Sequence, residues 1–165
     1  MDDAALTELL RDERERQFWL KPTGDPARQP GTDLVFCEPS VPVEFVKEPT
    51  EVRIGDALLL YRIKVSKLTC ISVCESKPRK FTQQELEQEP WRERWPWFIT
   101  VKNLTPEYGR VWNEFGLQPF PLVRAYNALH PNGRQRLGAL QFGKDRLKIT
   151  RSFAEFLIRR ILALP

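Results

Sequence analysis

Fourteen prolines and eight glycines cut this 165-residue chain into short pieces. Proline removes a backbone donor and fixes φ, so long uninterrupted helices are ruled out over most of the length. Many turns between short elements favour a β or α+β architecture over a helical bundle. The length suits one domain with a core of its own. Three cysteines, Cys37, Cys70 and Cys74, are odd in number and lack paired metal-ligand spacing, which reads as buried free thiols in a reducing compartment. No apolar run approaches membrane-spanning length, and the acidic N-terminus lacks a signal peptide's order. We therefore expect a cytoplasmic protein with no membrane partner.

The strongest strand signal is Ala57-Leu58-Leu59-Leu60-Tyr61, launched by the turn Ile54-Gly55-Asp56. A turn at Lys64-Val65-Ser66 leads to a second strand, Leu68 to Glu75, in which Cys70 and Cys74 share a face. Residues 17–21 read as an early aromatic strand stopped by Pro22. The Pro/Gly-rich residues after it read as a long irregular connection with one strand candidate, Leu34 to Cys37. Residues 76–94 read as a charged loop, in which the Gln83–Glu89 run is a solvated helix or loop. A strand over Trp97–Leu104 follows, and then a short strand or turn at Phe120–Val123 with a helical turn through Tyr126 and Leu129. Ser152-Phe153-Ala154-Glu155 matches a capping box and opens a last amphipathic helix. Residues 1–16 form an acidic amphipathic helix, expected as a peripheral appendage to a domain spanning residues 17–165. The sum is α+β: a small, partly closed barrel flanked by helices.

The segment Trp91-Arg92-Glu93-Arg94-Trp95-Pro96-Trp97 carries three of the five tryptophans with two arginines among them. Flat π-faces beside guanidinium groups suit a nucleobase and its phosphates, although most tryptophans in a small domain are core residues. On the strand, Trp97, Ile99 and Val101 would share one face, and Trp95 is expected to point the same way. Residues 1–16 carry a net charge of −3, which leaves +7 on the rest, and the C-terminal stretch from Arg134 is strongly basic. Arg92, Arg94, Lys64, Lys67, Arg134 and Arg136 are the candidate phosphate contacts. Trp112 reads as helix packing and Trp91 as a rim residue. The single histidine, His130, has no nucleophile or carboxylate partner in sequence, and no phosphate loop, nucleophile elbow or metal cluster is present. No catalytic residue, metal or cofactor is assigned.

The order of these pieces resembles the EVE domain, a member of the PUA-like superfamily related to the YTH domain. The likeness rests on Phe18-Trp19-Leu20-Lys21, Gly55-Asp56-Ala57-Leu58-Leu59-Leu60-Tyr61, the Cys70–Lys77 strand, Arg94-Trp95-Pro96-Trp97, Phe120-Pro121-Leu122 and Leu147-Lys148-Ile149-Thr150 before a helix. It covers about residues 17–162. The resemblance implies a mostly antiparallel barrel of five to six strands. A pocket at one end takes up a modified base, flipped from DNA or displayed by RNA, between aromatic walls. The matching positions are Trp19, Lys21, Tyr61, Arg62, Trp95 and Trp97, with Ser66 standing in for a small polar residue that usually follows the tyrosine. The family's Trp-x-x-Val-Arg-Asn segment after the first strand is replaced by a Pro-rich stretch ending in Phe45-Val46-Lys47.

The expected activity is that of a non-enzymatic reader of nucleic acid, DNA or RNA, carrying a modified, methylated base. Two rivals differ in class. A protein-interaction module would dock a partner through the N-terminal helix or the aromatic face. A metal-independent nuclease would use Lys21, Tyr61 or Arg62.

Overall fold

The computed structural model describes residues 3–11, 15–24, 38–62, 67–107, 128 and 145–163. In chain order its elements are α1 (Asp3–Arg11), β1 (Phe18–Thr23), β2 (Ser40–Phe45), β3 (Ala57–Arg62), β4 (Lys67–Cys74), β5 (Arg79–Lys80), α2 (Gln83–Gln88), a 3₁₀ turn at Pro90–Arg94, β6 (Trp97–Asn103), β7 (Leu147–Ile149) and α3 (Arg151–Leu162). The strands form one curled sheet in the order β2-β6-β4-β3-β1-β7, with β5 beside β6 as a continuation of the β4 edge. Only β1 and β3 run parallel; every other pairing is antiparallel. The architecture is α+β: a mixed-sheet half-barrel with three helices among the described residues.

Strand alternation divides the core in two. Phe18, Leu20, Ala57, Leu59, Tyr61, Leu68 and Ile71 face outwards, where α1 and α3 cover them with Leu6, Leu9, Phe153, Leu157, Ile158 and Ile161. Trp19, Leu58, Leu60, Cys70, Cys74, Ile99, Val101, Val43 and Phe45 fill the inside of the curl. β3 lies mid-sheet and is buried on both faces, which is why its sequence is apolar without alternation. The register shifts where Leu60 pairs with Cys70 but Tyr61 with Leu68; the extra residue on β4 is a bulge.

Gly55 and Asp56 set the start of β3. Gly55 has φ +91°, a conformation that favours glycine, and its N–H donates to Cys74 O at 2.8 Å. Cys74 N–H returns a bond to Asp56 O at 2.9 Å. The buried Asp56 carboxylate accepts from Gln17 N (3.1 Å), Gln17 Nε2 (3.0 Å), Arg53 N (2.9 Å) and the Trp19 indole Nε1 (3.1 Å). One side chain thus ties the entry of β1, the turn before β3 and the interior tryptophan.

Several sequence expectations change. β1 runs through Pro22 to Thr23, because β7 pairs only with Phe18–Leu20 and leaves the end of β1 on an edge, where a missing N–H is tolerated. β2 lies in the stretch read as irregular. It is an edge-side strand carrying Pro42, with Val41, Val43 and Phe45 alternating inwards. The 76–94 loop contains β5, α2 and the 3₁₀ turn. Its capping box is at Thr82 and Glu85. The N-cap of α3 is Thr150, not Ser152: its hydroxyl accepts from Phe153 N at 3.2 Å as the chain leaves β7 in extended geometry. α1 is shorter than expected. It buries Leu6 and Leu9 under α3 rather than hanging at the periphery, and Arg151 of α3 donates to Leu10 O near its end. The strand candidate at 34–37, the turn at 64–66, the segments around Phe120 and Tyr126, and Cys37, Trp112 and His130 lie outside the described residues.

Replacing Asp56 by Ala strips four donors of their acceptor in a buried place, so urea unfolding should show a loss of about 3 kcal/mol. Trp19→Phe removes one of those bonds and should cost about 1–2 kcal/mol. Equal midpoints for the wild type and the Asp56 variant would contradict the role given to this carboxylate.

Candidate nucleic-acid interface

The half-barrel is closed by charge. β2 ends beside β7 because the Asp145 carboxylate, just before β7, accepts from Val46 N (3.1 Å) and Lys47 N (3.4 Å), just after β2. Its other oxygen faces Lys21 Nζ at 3.3 Å. Lys21 projects from β1 into the curl, donates to Pro22 O at 2.9 Å and lies 4.7 Å from the Phe45 ring centre. Burial pulls its ammonium pKa down, and Asp145 pulls it back up. Arg146 reaches the exposed Glu51 on the next loop, which adds a second tie across the same seam.

Among the described residues expected at the site, Trp19, Lys21 and Trp97 share the inner side of the curl, where Trp97 packs against the cluster that holds Trp19 and Phe45, while Tyr61 and Trp95 lie elsewhere. Trp19 is inside the curl, 5% exposed, with its indole N–H spent on Asp56. Lys21 is 4% exposed and ion-paired. Tyr61 is buried on the opposite face of the sheet, under the helices. Arg62 ends β3 and is buried, which pulls its guanidinium down to about 10 and leaves it charged at neutral pH. Lys67 starts β4 opposite Arg62. Lys64, Ser66, Arg134 and Arg136 lie outside the described residues. Trp95 precedes β6, separated from it by Pro96, so it does not share the strand face of Trp97.

What the structure does bring together lies on residues 79–98. Arg79 sits 4.2 Å over the Phe98 ring; Phe98 stacks on Phe81 at 4.3 Å with planes 17° apart. Arg92 lies 4.5 Å from Phe81 and 5.2 Å from Trp91. Trp91 meets Trp95 edge-on at 6.2 Å, and Arg94 covers Trp95 at 4.9 Å. The planar groups run as one ladder across β6, the loop after β5 and the 3₁₀ turn. Beside it, on the other face of β6, Lys80 lies 5.1 Å over Trp97, whose strand partner is Phe45. Trp91, Trp95 and Trp97 are half-buried, while Arg79, Lys80 and Arg94 are exposed.

Strand pairing and local capping together fold the segment this way. β5 aligns Arg79 with Phe98 and Lys80 with Trp97 across the pair. Thr82 and Glu85 cap α2 reciprocally, and Glu85 also grips Arg79 through two bonds of 2.9 and 2.7 Å. Arg79 first, then Thr82, holds the Glu85 carboxyl down at about 2. Pro90 starts the 3₁₀ turn, which places Arg92 against Glu89 at 2.8 Å. Glu44 lies opposite Phe98 on β2; burial pushes its carboxyl up against the opposing pull of its own N–H, Arg92 and Lys21.

Arg79, Lys80, Phe81 and Phe98 were not singled out from sequence. The signal was present in Arg79-Lys80-Phe81 running directly into the Thr82–Glu85 capping pair. Burial holds the Cys70 and Cys74 thiols up at about 12 and about 11, so neither is a ready nucleophile or ligand. Among the described residues no three His, Cys, Asp or Glu side chains group as a metal site, and no described helix is long and apolar enough to cross a membrane. The chain matches no model of a known protein family and no curated protein sequence.

Asp145→Ala would leave the Lys21 ammonium buried without its carboxylate and should destabilise by about 3–5 kcal/mol. Lys21→Met removes the buried charge itself, while Asp145 keeps two backbone donors. It should therefore cost clearly less in the same denaturation experiment. The reverse order would show that the seam is not held by this pair.

Proposed function

We propose that this chain is a nucleic-acid-binding domain of the PUA-like kind, resembling the EVE domain, that holds a modified base against the half-buried tryptophans of residues 91–97. The observation that carries the reading is the aromatic–cation array of residues 79–98. Half-buried indole faces and exposed cations coincide there. A nucleobase gains about 1–3 kcal/mol from stacking on one aromatic side chain, and neighbouring guanidinium and ammonium groups take the phosphates. Trp95 and Trp97 are the stacking groups, and Arg94 and Lys80 the cations closest to them. A methyl group on the base would add dispersion contacts with the indole faces and displace water from them. DNA and RNA both carry the required chemistry.

Trp19 and Tyr61 serve the fold under this reading, since each is buried on its own side of the sheet. The α1 route to a protein partner is disfavoured because Leu6 and Leu9 are already covered within the chain. For a nuclease, Lys21 and Tyr61 lie on opposite faces of the sheet, so they do not form one catalytic group.

Fluorescence-anisotropy titrations with methylated and unmethylated oligonucleotides test the proposal. Trp95→Ala and Trp97→Ala should each weaken binding by about 1–3 kcal/mol. Trp95→Ala should leave the melting temperature near that of the wild type, whereas Trp97→Ala, which also loses packing against the inner core, should lower it. Equal, weak binding of every oligonucleotide by the wild type and both variants would refute it.

A further inference from the structure

We propose that Arg79 is a phosphodiester-binding residue of this surface and that Glu85 occupies its guanidinium fork in the free protein. The inference rests on the nucleic-acid reading above and adds the contact that anchors the backbone. Arg79 lies at the β5 end of the ladder, with its guanidinium over Phe98 and about half of its side chain exposed. Its planar fork is already set for a bidentate anion: NH1 meets Glu85 Oε2 at 2.9 Å and NH2 meets Glu85 Oε1 at 2.7 Å, while NH1 also donates to Lys80 O at 3.0 Å. Carboxylate and phosphate present the same pair of acceptors to such a fork.

Exchange of one anion for the other is cheap here for two reasons. The pair is solvent-exposed, and exposed ion pairs contribute little net stability. Glu85 also does not lose its footing when Arg79 leaves. Its Oε2 accepts from Thr82 N at 2.7 Å and from Thr82 Oγ1 at 3.1 Å, and its own N–H donates to Thr82 Oγ1 at 3.3 Å. The capping pair therefore keeps α2 and the carboxylate in place while the guanidinium turns to a phosphate. Lys80, next in the chain and on the other face of β6, offers a second cation to the neighbouring phosphate.

The test is an anisotropy titration of the full chain with a fluorescein-labelled, mixed-sequence single-stranded oligonucleotide over a series of salt concentrations. Glu85→Gln keeps the capping geometry, since Gln serves at that position too, and removes the competing charge. It should tighten binding by about twofold to fivefold, the range expected for release of an exposed ion pair. Arg79→Gln should weaken binding and lower the slope of log K against log salt by about 0.7, one phosphate contact on a single strand. In the Arg79→Gln background the gain from Glu85→Gln should vanish. An undiminished gain in that background, or no gain in the wild type, would overturn the assignment while leaving the binding surface intact. Failure of the wild-type chain to bind at low salt would overturn the underlying reading together with it.

Discussion

The buried Asp56 carboxylate anchors the entries of β1 and β3 and the interior Trp19 at one point. Four donors from three places in the chain converge on it: the backbone and side chain of Gln17, the backbone of Arg53 and the indole of Trp19. A buried carboxylate is costly unless its lone pairs are filled, so the network fixes the geometry of everything that supplies a donor. It sets the start of the parallel β1–β3 pair, since Ala57 N donates to Gln17 O alongside it. Parallel strands cannot be joined by a tight hairpin, and here the register is held by a side chain instead. Gly55 contributes the positive φ that turns the backbone into β3.

A second charged contact links the two ends of the half-barrel sheet. Lys21 and Asp145 join β1 to the segment before β7, and the same carboxylate accepts from the backbone after β2. Apolar side chains fill the curl between these two polar ties, Trp19 and Phe45 among them. Trp19, Lys21 and Tyr61 are committed to the fold, while Arg79, Lys80 and Arg94 are exposed on the β5–α2–β6 side beside the half-buried Trp91, Trp95 and Trp97. The rings and guanidinium groups there follow one another as a ladder from Arg79 through Phe98, Phe81, Arg92 and Trp91 to Trp95 and Arg94.

Much of the fold was legible in the sequence. The unbroken run Ala57–Tyr61 is a strand buried on both faces, the β4 and β6 strands fall where alternation put them, and Phe153, Leu157 and Ile161 form the inward stripe of α3. Other elements were masked by competing local signals. Pro42 hid the alternation of Val41, Val43 and Phe45, which an edge-side strand tolerates. Ser152 and Glu155 imitate a capping box that Thr150 pre-empts two residues earlier. The clustering of Trp91, Trp95 and Trp97 with arginines was visible as composition, but its partners Arg79, Phe81 and Phe98 were not. Those contacts depend on β5 pairing with β6, a long-range alignment that no local pattern announces. Nor does sequence spacing say which side of a sheet a residue joins, so Lys21 and Tyr61 looked like neighbours and are not.

We propose that nucleic acid is held on Trp95 and Trp97, beside Arg94 and Lys80, and not against the buried Trp19. The most direct measurement is a set of assigned indole ¹H–¹⁵N spectra recorded while an oligonucleotide is added. The Nε1–H signals of Trp95 and Trp97 should shift progressively with saturation, while that of Trp19, bonded to Asp56, should stay in place. A shift confined to Trp19, or five unmoved signals in the presence of a bound oligonucleotide, would rule out binding at Trp95 and Trp97.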